Sequence, residues 1–209
     1  MLRETKGRID GQMGEREVAP AVIGLFVGGR GLRMGGVAKG NLALPNGETL
    51  CARLVAQCRA ALPDALLVLV GAADEYGTLG LAALADAPAG IGPLGGLRAL
   101  ILHAQAAGCA HVLALSCDLP YLAAGLIARL ASEAPSARFL AAREGELWST
   151  LVARYAVTAL AEVDAAIAAE EHALQRVVRR LGHGAVELTV TDDERRELRD
   201  WDTPEDRAS

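Results

Sequence analysis

Short apolar runs alternate with stretches of helical periodicity along nearly the whole chain, and this alternation constrains the fold more than any other feature. Residues 21–27 form an apolar, β-branched run that stops at Gly28, the pattern of a strand buried on both faces. Cys51, Leu54, Val55, Cys58 and Leu62 recur at helical spacing. They predict a helix over 49–62 that ends before Pro63. A second buried strand is expected at 66–70, closed by Gly71. Leu97, Ile101 and Ala104 mark a helix that stops at Gly108, and 112–115 reads as a third strand. Leu122, Leu126 and Leu130 predict a helix that starts after Pro120. Two further strands are expected at 138–142 and 150–155. Leu160, Val163 and Ile167 mark another helix. Leu174, Val177, Val178 and Leu181 mark the next, closed by Gly182, and 185–190 alternates as a strand. Strands separated by helices form βαβ units, so the expectation is a Rossmann-like three-layer α/β/α sandwich with a mostly parallel sheet. No repeat or long linker divides 21–209, which reads as a single domain. Ligands of open α/β sheets bind at the carboxyl ends of the strands, so the loops after the strands are where chemistry is sought.

Composition excludes several classes. Hydrophobic residues make up 52% and charged residues 22% of the 209, which is globular rather than disordered. A net charge of −5 gives no general attraction to nucleic acid or membrane surfaces. No apolar run reaches the roughly 20 residues that span a bilayer. Residues 1–20 are polar, charged and glycine-containing, read as a flexible extension without the apolar core of a secretory signal. A cytoplasmic location is therefore expected. Cys51, Cys58, Cys109 and Cys117 form no CxxC pair and lie in apolar runs, the pattern of reduced, buried thiols. His103 and His172 fall in predicted helices and His111 and His183 near turns, without zinc-ligand spacing. Trp148 and Trp201 read as packing residues.

Among 21 basic residues only Lys6 and Lys39 are lysines, so Lys39 is the sole lysine of 21–209. A site that needs a compact point charge rather than a planar fork would keep such a residue. Lys39 closes a loop of thirteen residues, 28–40, that holds six glycines together with Arg30 and Arg33. Oriented amides and three cations suit a triphosphate; a flexible surface loop is the other reading. Ala38 before Lys39 departs from a Walker A loop, and Met34 stands where a dinucleotide fingerprint needs its third glycine. After the third strand comes Ser116-Cys117-Asp118-Leu119-Pro120. Asp118 there either holds Mg²⁺ beside phosphates or caps the helix that follows. The turn residues of 86–96 allow close backbone approach to a base or ribose, which Asp86 could accept hydrogen bonds from, or they form an ordinary turn. In the tail, Thr203-Pro204-Glu205 resembles a helix start, and Asp202 either caps it or joins Asp118 at a metal.

Taken in order, four segments resemble the molybdenum cofactor guanylyltransferase family. They are Phe26-Val27-Gly28-Gly29 with Arg33-Met34-Gly35-Gly36 and Lys39-Gly40, then Gly92-Pro93-Leu94-Gly95-Gly96, then Cys117-Asp118-Leu119-Pro120, then Asp200-Trp201-Asp202-Thr203-Pro204-Glu205. The resemblance implies a fold of the nucleotide-diphospho-sugar transferase type. It also implies a Mg²⁺-dependent transfer of GMP from GTP to molybdopterin-bound molybdenum, releasing pyrophosphate. On it, Phe26, Val27, Gly28, Gly29, Arg30, Gly71, Asp86, Gly92 and Pro93 line the nucleotide site. Lys39 and Arg33 contact the phosphates, and Asp118 with Asp202 holds the metal. GTP, a molybdopterin-type phosphate acceptor and transient contact with a cofactor-carrier or acceptor protein are the implied partners.

Three departures stand out. Gly71-Ala72-Ala73 replaces an asparagine after the second strand, Asp200 and Asp202 replace a closing asparagine pair, and Trp148-Ser149-Thr150 replaces a His-Pro. A cytidylyltransferase-like relative with another base or acceptor, and a non-catalytic nucleotide-binding module, are the alternative readings.

Overall fold

A computed structural model describes residues 21–27, 38–71 and 73–201. Its strands are β1 (Val22–Phe26), β2 (Leu66–Val70), β3 (Ala82–Leu84), β4 (His111–Ser116), β5 (Phe139–Glu144), β6 (Leu147–Ala156) and β7 (Ala185–Glu187). Its α-helices are α1 (Leu50–Ala61), α2 (Pro93–Ala106), α3 (Ala124–Ser132), α4 (Leu160–Ala168), α5 (Leu174–Leu181) and α6 (Asp192–Glu197). The strands form one sheet in the order β3-β2-β1-β4-β6-β5-β7. Only β6 runs antiparallel to its neighbours, so the mostly parallel sheet expected from the alternation is present.

Alternate residues of the buried strands feed two cores. Val22, Val68, Val112, Ala153 and Tyr155 pack beneath α2, α4 and α5. Ile23, Leu25, Leu69, Leu113 and Leu115 pack on the opposite side with α1 and α3. Each face is thus covered by helices, giving three layers. Gly24 lets α2 sit tight on β1: a Cβ there would lie 2.5 Å from Leu100 Cδ2. Arg154 is the one buried charged residue described, at 2% exposure. Its guanidinium donates to the carbonyls of Leu130, Ala131 and Ala134 at 3.2, 2.8 and 2.5 Å. These lie at the C-terminal end of α3, where a cation and its donors are stabilising.

Several expectations need correcting. The strand expected over 185–190 pairs with β5 only from Ala185 to Glu187. Leu188 still packs in the core, while Thr191 then opens α6 with a capping box to Glu194. Here the capping chemistry overrides strand alternation. His172 lies in the link before α5 rather than in a helix. The edge strand β3 and the 3₁₀ turn at Asp74–Leu79 were not foreseen, being too short for a period to register. Among the described residues, no helix is long and apolar enough to cross a membrane. All four cysteines are buried free thiols.

Candidate active site

Phe26 pairs in register with both Val70 and Ser116, so β1, β2 and β4 end on one line. Val27 N–H continues to the Val70 carbonyl at 3.1 Å, and Cys117 N–H to the Phe26 carbonyl at 3.3 Å. The loops after these three strands therefore leave the same carboxyl edge. Gly28, Gly29, Arg30 and Arg33 lie outside the described residues. From Ala38 the chain makes a 3₁₀ turn, Lys39–Asn41.

That turn brings the body's sole lysine to the aspartate after β4. Lys39 Nζ lies 3.2 Å from Asp118 Oδ2, both side chains largely buried. The other oxygen, Oδ1, accepts from Ser116 Oγ at 2.5 Å. Asp118 is not a helix cap: α3 begins at Ala124, six residues further on. The free N–H groups there are taken by side chains from elsewhere. Ala123 N–H donates to Glu197 Oε2 and Ala124 N–H to Gln57 Oε1, both at 3.0 Å.

Tyr76, on the 3₁₀ turn Asp74–Leu79, braces the lysine turn. Gly40 N–H donates to its phenol oxygen at 3.2 Å, and Asn41 Nδ2 donates to the Glu75 carbonyl at 3.2 Å. A Cβ on Gly40 would lie 2.8 Å from Tyr76 Cε1 and 3.2 Å from Cys117 Sγ, so only glycine fits. Burial, and then the neighbouring Asp118 charge, push the Cys117 thiol up to about 12. Cys117 therefore packs as a neutral thiol and is no nucleophile. Sequence reasoning missed Tyr76; the only signal was a lone tyrosine between Glu75 and Gly77.

The segment before α2 folds around that helix's first turn. Gly92 takes φ 69°, ψ −152° ahead of Pro93 at the first helical position, a conformation reserved for glycine. Ala87 N–H donates to the Gly95 carbonyl at 3.1 Å. A Cβ on Gly95 would lie 2.3 Å from the Pro88 carbonyl oxygen, and one on Gly96 would lie 3.1 Å from Asp86 Oδ1. Asp86 is thus held against the N-terminal face of α2, and burial raises its carboxyl above the usual range. Gly71 donates its N–H to the Leu84 carbonyl at 3.0 Å, so that donor is committed within the fold.

A cleft of about 350 Å³ opens between the end of β4, the start of β6 and the C-terminal segment. Ser116, Asp118, Ser149, Thr150 and Asp200 are among the residues that line it. Trp201 brings the tail there: its N–H donates to the Asp118 carbonyl at 2.9 Å, and its indole packs with Leu42 and Leu50. Asp202, the next residue, lies outside the described residues. Ser149, Thr150 and Ser116 were not assigned to the site from sequence.

The arrangement offers one carboxylate with a lysine beside it and a second carboxylate, Asp200, in the same cleft. Among the described residues, no three His, Cys, Asp or Glu residues gather as a metal cluster. This donor set fits Mg²⁺ in the mode where one or two carboxylates share it with substrate phosphates.

Residues 24–186 match the family described as the MobA-like NTP transferase domain. A molybdenum cofactor guanylyltransferase from Pseudomonas fluorescens (strain SBW25) is 32% identical over 176 residues, 83% of this chain and 86% of that protein. A probable molybdenum cofactor guanylyltransferase from Opitutus terrae is 28% identical over 191 residues, 90% of this chain and 94% of that protein. Among solved structures, the molybdopterin-guanine dinucleotide biosynthesis protein A from Archaeoglobus fulgidus is similar in fold. It superposes with a TM-score of 0.70 at 21% identity, covering 90% of this chain and 95% of that one.

Proposed function

The chain belongs to the MobA-like NTP transferase domain family, and from that premise we propose that it transfers GMP from GTP to the phosphate of a molybdopterin-type acceptor. The observation that carries this reading is the Lys39–Asp118 pair at the carboxyl edge of β1 and β4. A cation for the phosphates and a carboxylate for a metal stand side by side where an α/β sheet binds its ligand.

In this reading Phe26, Val27 and the glycine loop line the nucleotide, with Arg30, Arg33 and Lys39 on its phosphates. Asp86, Gly92 and Pro93 approach the base and ribose beside Gly71. Asp118, helped by Asp202, would hold Mg²⁺, which neutralises phosphate charge when bound. An oxygen of the acceptor phosphate forms a bond to the α-phosphorus. The bond from the α-phosphorus to its bridging oxygen breaks, and pyrophosphate leaves with that electron pair. The acceptor phosphate is already ionised near neutral pH, so no side chain has to take a proton. The protein's share is positioning and charge compensation. Lys39 meets the phosphate charge, Ser116 orients Asp118, and Tyr76 fixes the turn that carries Lys39. A reaction that draws on GTP belongs in the cytoplasm.

The test is pyrophosphate release with a molybdopterin acceptor and GTP, ATP or CTP, each with and without Mg²⁺. Release with Mg-GTP alone is the expected result. Release with CTP in place of GTP moves the protein to a cytidylyl branch, and tight Mg-GTP binding without release makes it a binding module.

A further inference from the structure

The register between β5 and β6 breaks beside the cleft. Ala141 pairs with Ala153, but the next pair recorded is Arg143 with Trp148. Two steps along β5 thus span five along β6, so β6 carries three surplus residues. On its other edge β6 pairs with β4 only as far as Val152, opposite Leu115. Ser149, Thr150 and Leu151 are therefore pushed out of both ladders as a wide bulge, and all three line the cleft that holds Asp118. Bulges next to active sites re-aim side chains.

This bulge is fixed at the residue that enters it and at its middle. Gln175 of α5 grips the Trp148 backbone as a neighbouring strand would. Its Oε1 accepts from Trp148 N–H at 3.3 Å, and its Nε2 donates to the Trp148 carbonyl at 2.8 Å. The Trp148 ring meets Phe139 edge-on at 5.4 Å, and the Arg143 guanidinium lies 5.2 Å over it. Within the bulge, the fully buried Tyr155 donates its hydroxyl to the Thr150 carbonyl at 2.9 Å. Three groups thus hold Trp148 at the entry to the bulge, and a fourth holds Thr150 within it. By contrast, neither the Ser149 nor the Thr150 hydroxyl hydrogen-bonds to another described residue.

We propose that the Ser149–Thr150 bulge is the acceptor-phosphate subsite, with Gln175 as the positioning residue that sets it. Ser149 and Thr150 bind the acceptor's phosphate monoester in the cleft that they line together with Asp118. Asp118 and Asp200 already place negative charge in this cleft. Neutral hydroxyl donors bind an anion there without bringing a further cation to compete for those carboxylates. This rests on the guanylyl-transfer reading for the identity of the acceptor, though not for the phosphate chemistry.

Two measurements test it separately from that reading. In the first, the protein is loaded with Mg²⁺ and a non-hydrolysable GTP analogue, filling the nucleotide site, and titrated with inorganic phosphate. The amide NMR signals of Ser149, Thr150 and Leu151 are followed. Saturable shifts there are expected in the wild type and are lost in Ser149→Ala/Thr150→Val. Unmoved bulge signals overturn the proposal whether or not molybdopterin is the acceptor.

In the second, steady-state KM values for GTP and for the acceptor are measured on Ser149→Ala, Thr150→Val and Gln175→Leu, each with its melting temperature. Each is expected to raise the acceptor KM about tenfold or more, the scale of one hydrogen bond to a charged group, while the GTP KM stays within about twofold. Equal losses for GTP and acceptor, or an unchanged acceptor KM in variants of wild-type melting temperature, overturn it. A wild type that binds phosphate at the bulge but does not turn over with molybdopterin refutes the acceptor's identity and leaves the subsite standing.

Discussion

The backbone N–H of Trp201 donates to the carbonyl of Asp118 at 2.9 Å, tying the C-terminal segment to the loop after β4. The side chain reinforces the tie: Trp201 is 5% exposed and packs with Leu42 and Leu50, and Leu42 follows the turn of Lys39. Through its backbone and its indole together, Trp201 therefore links the tail to the loop after β4 and to the stretch that holds Leu42 and Leu50. Trp201→Ala should cost about 3 kcal/mol or more in denaturant unfolding, as for other buried tryptophans. It should also open the chain after Leu198 to limited proteolysis. A wild-type unfolding midpoint would show that the indole does not anchor the tail.

Asp118 and Lys39 should fail differently. Asp118→Asn keeps the shape and the Ser116 contact but removes the charge facing Lys39. We expect nucleotide binding to survive in part while metal-dependent pyrophosphate release falls about a hundredfold or more. Lys39→Arg keeps the charge but substitutes a wide fork for a point charge. It should not rescue activity, because the turn at Gly40 is closed against Tyr76 and Cys117. Single-turnover rates on both variants separate the two roles, and full activity in Lys39→Arg would mean that any cation suffices.

Gly40 and Tyr76 should be coupled. Gly40→Ala drives a methyl to within 2.8 Å of the ring and 2.9 Å of the hydroxyl, a clash expected to cost about 1–3 kcal/mol. Tyr76→Phe removes only the acceptor for Gly40 N–H, about 1 kcal/mol. Since both variants act on one contact, the double variant should cost less than the two single costs together. Additive unfolding energies would place the clash elsewhere.

The buried strands and long helices were legible because burial on two faces writes near-continuous apolar runs. Residues 21–27 and 66–70 show it, enclosing β1 and β2. Asp118 and Lys39 were legible through chain logic: one follows a strand and the other ends a glycine loop. Their 3.2 Å approach was not, because 79 residues separate them and only the sheet brings them together. Tyr76 and Gln175 were invisible for a related reason. Each acts on the backbone of another segment, Gly40 and Trp148, and backbone partners leave no mark in side-chain identity. The bulge at Ser149–Leu151 interrupts strand alternation, so the sequence there reads only as a strand beginning at Thr150.

His111 opens β4 at the edge away from the site, across from Ala156. Burial first, and then the Arg154 charge, hold its pKa below the ordinary value. The folded state therefore resists a proton that the unfolded chain accepts below about pH 6.5. The sign follows from linkage: where the unfolded state binds more protons, stability rises with pH. Stability tied to His111 is thus complete above about pH 6.5 and drains away as pH falls from there towards the lowered folded value. His111→Gln carries no titrating ring, so carboxylate effects common to both proteins cancel in their difference. The unfolding free energy of the variant relative to wild type should increase between pH 7.5 and pH 5.5. A difference that stays flat over that interval would show that the imidazole is protonated as readily in the fold as in water.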